Sequence, residues 1–153
     1  MRDRFAGLHC VVTGAARGIG AAITGQLRAE GAIIHSADIL DGSCDVTSPD
    51  SIHAFFRDLP AIDKLICVAG GVSAGTSEST SLDQWRSCQA LNLESVWHCV
   101  QAVLPKLRLS ECASILTIPS YQAIRPSPAS FAYSVAKGGL ISMTRALAVE
   151  LAP

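Results

Sequence analysis

Leu8-His9-Cys10-Val11-Val12-Thr13-Gly14-Ala15-Ala16-Arg17-Gly18-Ile19-Gly20 decides the fold of this 153-residue chain. Its first six residues form a short apolar run ended by glycine, the pattern of a strand buried on both faces. From Arg17 to Glu30 the period becomes helical, with Ile19, Ala22, Ile23 and Leu27 inward and Gly31 as the C-terminal stop. Ala32-Ile33-Ile34-His35-Ser36-Ala37 then reads as a second strand, ending at Asp38. Strand, helix and strand in about thirty residues make a βαβ unit.

Glycines between a strand and a helix let the backbone approach a pyrophosphate, and the amides of the helix N-terminus add positive potential. Gly14, Arg17, Gly18, Ile19 and Gly20 are therefore the expected phosphate cradle of a dinucleotide. Asp38 follows Gly20 by eighteen residues (38 − 20), close to the spacing of an acid that accepts hydrogen bonds from an adenosine ribose. A carboxylate there would repel a 2′-phosphate, so NAD is expected over NADP, although Arg17 leans the other way.

Further along, Ser51–Leu59 reads as a short helix closed by Pro60, and Lys64–Ala69 as a buried strand running into Gly70-Gly71. Leu82–Leu107 keeps a helical period through Trp85, Leu91, Val96, Val100 and Leu104, with Pro105 expected to kink its end. Ala113–Ile118 is a further strand, and a Pro- and Ser-rich loop leads to a helix over 131–151. Such alternation implies one domain, 1–153, with a parallel sheet covered by helices on both faces.

Composition agrees with a packed core: 49% of residues are hydrophobic and 16% charged. The net charge is −1, with no basic stripe to neutralise a nucleic acid. No apolar leader or membrane-length stretch is evident, which predicts a cytoplasmic protein without membrane partners. Six cysteines lack any C-x-x-C pair and read as reduced, largely buried thiols. Four histidines fall singly, so no metal site is expected.

Tyr133-Ser134-Val135-Ala136-Lys137 adds chemistry to the fold, with Ser120 thirteen positions upstream of the tyrosine. Residues four apart share a helix face, so an ammonium there would favour the ionised phenol. Ser120 could then hold a substrate oxygen while Tyr133 moves the proton.

Together these residues resemble the short-chain dehydrogenase/reductase family over nearly the whole chain. The resemblance rests on the T-G-x-x-x-G-x-G turn, Asp45-Val46, Asn92, Ser120, Tyr133 and Lys137. It implies a Rossmann-like, doubly wound sheet and a catalytic tetrad of Asn92, Ser120, Tyr133 and Lys137. In that scheme Tyr133 is the general acid/base, and Lys137 binds the nicotinamide ribose and lowers the tyrosine pKa. Asn92 holds a relay water, Asp45 and Val46 contact adenine, and the Ala69-Gly70 backbone approaches the cofactor. The implied reaction is hydride transfer between NAD(P) and a secondary alcohol or ketone. A homodimer or homotetramer through the helices near 82–107 and 131–151 is implied as well.

Three departures qualify the resemblance. Cys67-Val68-Ala69-Gly70 stands where the family usually has N-N-A-G, removing two amide side chains and some rigidity. Only six residues separate Asp38 from Asp45, too few for a parallel crossover, so a reduced or missing third strand is expected. Sixteen residues follow Lys137, which suggests a C-terminally truncated form, incomplete at that edge of the sheet, with 113–118 as an exposed apolar edge. The competing reading is an inactive isoform or fragment that binds nucleotide or pairs with full-length subunits. Gln122 and Arg125 are the candidate polar contacts along the substrate lining, with Arg125 reading more readily as a solvated loop residue.

Overall fold

The computed structural model describes residues 3–152. Its elements are β1 (His9–Thr13), α1 (Gly18–Ala29), β2 (Ile33–Ala37), α2 (Pro49–Arg57), β3 (Lys64–Cys67), α3 (Leu82–Gln89), a π-helical segment (Ala90–Glu94), α4 (Ser95–Leu107), β4 (Ser114–Thr117), a 3₁₀ turn (Tyr121–Ala123) and α5 (Phe131–Leu151). They fall into two compact units. One runs up to Ala69 and includes Ser95–Leu116; the other comprises Gly70–Glu94 and the residues from Thr117 onward.

The first unit carries the sheet, ordered β2-β1-β3-β4, with β1 parallel to both β2 and β3. Side chains alternate across a strand, and here the alternation assigns both faces. Cys10, Val12 and Ile66 pack with Ile23 and Leu27 of α1. Val11 and Leu65 are fully buried at the alternate positions. Helix α4 lies against β3, burying Val96, Cys99, Val100, Val103 and Leu107, while α2 packs on α4 through Ile52 and Phe56. The result is the α/β doubly wound arrangement that the strand and helix alternation predicts.

Local signals explain where these elements begin and end. Ser48 caps α2 by accepting a hydrogen bond from the Ser51 amide at 3.3 Å, and Pro49 occupies the first turn. At the other end Lys106 donates to the carbonyls of Phe56 (2.7 Å), Arg57 (3.1 Å) and Leu59, satisfying acceptors that have no partner in the helix ladder. Ser81 and Gln84 form a capping box at the start of α3. Gly31 follows α1 at φ +89°, where a Cβ would come within 2.9 Å of the Ala6 backbone.

Two expectations need correction. Ile19 and Ala22 are exposed, Ile19 at 59%, and the inward stripe of α1 is Gly20, Ile23, Thr24 and Leu27 instead. Close approach of the helix start to the glycine turn rotates a glycine, not an isoleucine, toward the sheet. The helix read over 82–107 is also not continuous: the π-helical segment Ala90–Glu94 interrupts it, and α4 runs through Pro105 to Leu107. The short segment after Asp38 has no strand or helix before α2, as the spacing to Asp45 predicts. Five cysteines are buried thiols, and Cys112 is exposed.

Near the start of the described chain, Arg4 clasps both carboxylate oxygens of Glu30, and Gln26 donates to the same group at 2.8 Å. The Arg4 hydrogen bond is the main cause that holds Glu30 down to about 2 from an ordinary 4.5. A carboxyl depressed in the folded state contributes stability that is fully present above its unfolded value and lost as pH falls through its folded one. Arg4 is 62% exposed, so solvent screens the pair and the effect is modest. Chemical denaturation of Arg4→Ala should show a shallower loss of stability than the parent between pH 4.5 and pH 2. Identical pH slopes for the two proteins would remove this assignment.

Candidate active site

In the first unit the glycine turn is squeezed from two sides. Gly14 has φ +66°, and a Cβ on it would lie 2.8 Å from the Ala69 amide nitrogen. On the opposite side, a Cβ on Gly20 would lie 1.9 Å from the Gly14 carbonyl oxygen. Only hydrogen fits at both places. Thr13, at the end of β1, accepts hydrogen bonds from the Val68 and Ala69 amides, both at 3.1 Å. Its hydroxyl thus pins the strand end where the usual asparagines are replaced, a role not foreseen from the sequence.

Arg17 is the N-cap of α1, exposed and without a side-chain capping bond, and the first turn of the helix has no acidic residue. An uncapped, glycine-lined helix start of twelve residues suits an anionic group. The residues present fit a dinucleotide's pyrophosphate.

Asp38 directly follows β2 and is 7% exposed. One carboxylate oxygen accepts from the Ala16 amide in the glycine turn at 2.8 Å, and the other from Leu40 at 2.9 Å. The acid therefore braces the turn itself. A carboxylate has about four acceptor positions, which leaves capacity for a hydroxyl pair. The backbone around it is compact: Ser43 Oγ accepts from the Asp38 amide at 2.9 Å, and the Ser43 and Cys44 amides donate to the Asp38 carbonyl. Asp45 turns one carboxylate oxygen to the Thr47 amide (2.8 Å) and hydroxyl (2.7 Å) at the head of α2, and Val46 is buried.

The second unit holds Gly70, which is exposed, and all four residues of the expected tetrad. Tyr133 and Lys137 lie one turn apart on α5, with the ammonium 5.8 Å from the phenol ring centroid. Lys137 is 5% exposed and donates to the Ile118 carbonyl at 3.0 Å. A buried charge needs such hydrogen-bonding partners. Two residues beyond Ile118 is Ser120, whose Oγ accepts from the Gln122 amide at 3.2 Å and so caps the 3₁₀ turn. The chain after β4 is thereby seated on the Tyr133–Lys137 turn of α5, where the Ala123 carbonyl comes within 4.0 Å of a Cβ built on Gly138.

Asn92, 1% exposed, sits in the π-helical segment. Its side-chain amide pairs with the backbone of Gly71, accepting at 3.1 Å and donating at 3.0 Å, and also donates to the Cys88 carbonyl at 3.1 Å. Asn92 therefore locks the loop that follows Gly70 to the helix. Cys88 packs with Ala132 and Ala136 of α5, flanked by Trp85, Leu93 and Tyr133. Burial pushes the Cys88 thiol up, while hydrogen bonds from Asn92 and Ser73 and the charge of Lys137 oppose that rise.

Several supports carried no sequence signal. Gly75 and Ser130 form an isolated parallel bridge between two loops, with Gly75 N donating to the Ala129 carbonyl at 3.0 Å and Phe131 N to the Gly75 carbonyl at 3.0 Å. Gln89 Nε2 donates to the Ala132 carbonyl at 3.2 Å. Among the described residues no helix is long and apolar enough to cross a membrane, and no three His, Cys, Asp or Glu residues gather to hold a metal ion.

Comparison with known proteins matches this arrangement. The family described as enoyl-(acyl carrier protein) reductase matches residues 14–153. The chain is 31% identical to the 3-oxoacyl-[acyl-carrier-protein] reductase FabG of Salmonella typhimurium, over 97% of this chain and 69% of that protein. It is 30% identical to the short-chain dehydrogenase/reductase cdmF of Talaromyces verruculosus, over 90% of this chain and 61% of the relative. The ligand-free structure of Thermoplasma acidophilum aldohexose dehydrogenase superposes with a TM-score of 0.93 at 31% identity, covering 100% of this chain and 65% of its own. The chain thus spans roughly two thirds of these proteins' length. With the glycine turn in one unit and the Asn, Ser, Tyr and Lys set in the other, it belongs to the short-chain dehydrogenase/reductase family.

Proposed function

We propose that this chain is an NAD-dependent oxidoreductase that interconverts a secondary alcohol and a ketone, its two units acting as one nucleotide-binding domain in the cytoplasm. The observation that carries the proposal is the buried Lys137 ammonium, seated on the Ile118 carbonyl and 5.8 Å from the Tyr133 ring. A buried ammonium one helical turn from a phenol puts a fixed positive charge beside the group proposed to exchange the proton. Nothing in packing alone requires a lysine at that place.

The nicotinamide, when bound, supplies the hydride chemistry. Tyr133 takes the alcohol proton during oxidation and returns it during reduction. One lone pair of Ser120 Oγ is used by the Gln122 amide, and its O–H donates to the substrate oxygen. Lys137 also faces the nicotinamide ribose, and Asn92 holds a water toward Lys137. The π-helical segment supports that last role, because it takes a carbonyl out of the regular α ladder. Gly14, Arg17, Gly18, Ile19 and Gly20 hold the pyrophosphate, Asp38 the adenosine ribose, Asp45 and Val46 the adenine, and Ala69 and Gly70 the cofactor's other side.

Relatives differ in the substrates their names state, a 3-oxoacyl-[acyl-carrier-protein] for FabG and an aldohexose for the Thermoplasma enzyme. A carbonyl or carbinol carbon is what those substrates share. We extend the proposal to self-association through 82–107 and 131–151, where Trp97, Val135 and Val149 are exposed. A monomer in sedimentation velocity at micromolar protein would remove that part.

Cofactor choice tests the nucleotide half. NADH fluorescence titration should show tighter binding than NADPH, and Asp38→Ala should narrow the difference while weakening both, because the same carboxylate braces Ala16. Equal affinities in the parent protein would remove the discriminating role of Asp38.

A further inference from the structure

Gln122 is hydrogen-bonded through its backbone to Ser120 and has a side-chain polar atom that the fold does not use. Its backbone amide donates to Ser120 Oγ, yet its side-chain Oε1 is buried and meets no donor. Buried acceptors are overwhelmingly paired, and an unpaired one is a free-energy penalty that a folded chain retains for a reason. Thr24 Oγ1 is the other such atom among the described residues, and it is on α1, in the other unit. Gln122 is two residues from Ser120, in a turn packed on α5, and the Ile118 carbonyl just before that turn accepts from Lys137.

The exposed side chains around that turn are apolar on one side, with Tyr121 at 69% and Ile124 at 75%. They offer a ligand contact area, and the exposed Tyr121 hydroxyl adds a group that can donate or accept. Of the charged residues near the turn, Arg125 follows it in the chain and Lys137 reaches the Ile118 carbonyl before it, and both are donors.

We propose that Gln122 Oε1 is a specificity-determining acceptor for a hydroxyl on the carbon next to the reacting one, so that the substrate is a vicinal diol or the matching α-hydroxyketone rather than a simple secondary alcohol. This rests on the proposed alcohol chemistry of the same site. Ser120 and Tyr133 would serve the oxygen that becomes the carbonyl, and Gln122 would accept from the neighbouring O–H. No atom of Gln122 takes part in the redox step. A site with a buried acceptor discriminates against an analogue that leaves it unpaired far more strongly than an apolar pocket discriminates by shape.

The test compares matched pairs, butane-2,3-diol with butan-2-ol and cyclohexane-1,2-diol with cyclohexanol, by kcat/KM for NAD reduction. The diol should be preferred by about tenfold or more. Gln122→Met, similar in shape but without the acceptor, should bring the ratio toward one, and Gln122→Glu should keep the preference. A second readout is independent of turnover: calorimetric binding of diol and mono-alcohol to the NADH-saturated Tyr133→Phe protein should show the same ratio. No diol preference in the parent, or a Gln122→Met ratio equal to the parent's, would overturn the proposal. Diol-selective binding without turnover of any alcohol would instead count against the oxidoreductase reading and leave the Gln122 assignment standing.

Discussion

Tyr133→Phe should lower kcat by about 10²- to 10⁴-fold, the range contributed by a positioned acid/base group. NADH affinity should change by less than about threefold, since a rate-specific loss is what removal of a transition-state interaction produces. The fold gives reason to expect a clean result. Tyr133 packs beside Cys88, Ala132 and Ala136 through its ring, and phenylalanine preserves that packing. The hydroxyl appears in none of the hydrogen bonds that secure α5 among the described residues, which run instead through Gln89, Thr117, Ser130 and Lys137. Circular dichroism and thermal unfolding should therefore match the parent while turnover collapses. Comparable turnover in the two proteins would make Tyr133 a packing residue.

Gly20→Ala should have the largest effect on the nucleotide half. The added methyl would lie 1.9 Å from the Gly14 carbonyl oxygen and 2.7 Å from its carbonyl carbon, both backbone atoms. Gly14 has no room to retreat, because Ala69 already closes its other side. Either the turn opens or α1 shifts on the sheet, and both disturb the phosphate cradle. A loss of about 3 kcal/mol or more in stability and at least 100-fold in NADH affinity is expected, in keeping with substitutions that overpack a core. Gly25→Ala in the same helix is the control. No atom lies within 4 Å of its added Cβ, and alanine there should stabilise by about 0.5–1 kcal/mol. If the two variants behaved alike, steric closure of the turn would not be its organising constraint.

The sheet and the order of helices were legible because apolar runs and glycine stops act locally. The Leu8–Thr13 run and the missing crossover after Asp38 needed only chain length and period. Side-chain roles were less so. The helix beginning at Gly18 reads one residue out of phase, since Ile19 satisfies an apolar period that Gly20 and Thr24 occupy in the fold. Asn92 was named from the family pattern, but its pairing with Gly71, twenty-one residues away in the chain (92 − 71), is not encoded in local period. The same holds for Gly75 and Ser130, whose loops pair through backbone groups that every residue has. Asp38 was read as a ligand contact, and its bond to Ala16 adds a bracing role that no spacing rule contains.

The most direct measurement follows deuterium. A panel of secondary alcohols and vicinal diols deuterated at the carbinol carbon, incubated with the protein and NAD, should yield NADH carrying deuterium at C4 of the nicotinamide by NMR, with the label absent from the Tyr133→Phe reaction over the same interval. Tight NADH binding by the parent protein without deuterium transfer from any member of the panel would contradict the account and make this chain a nucleotide-binding protein without the chemistry proposed for Tyr133 and Lys137.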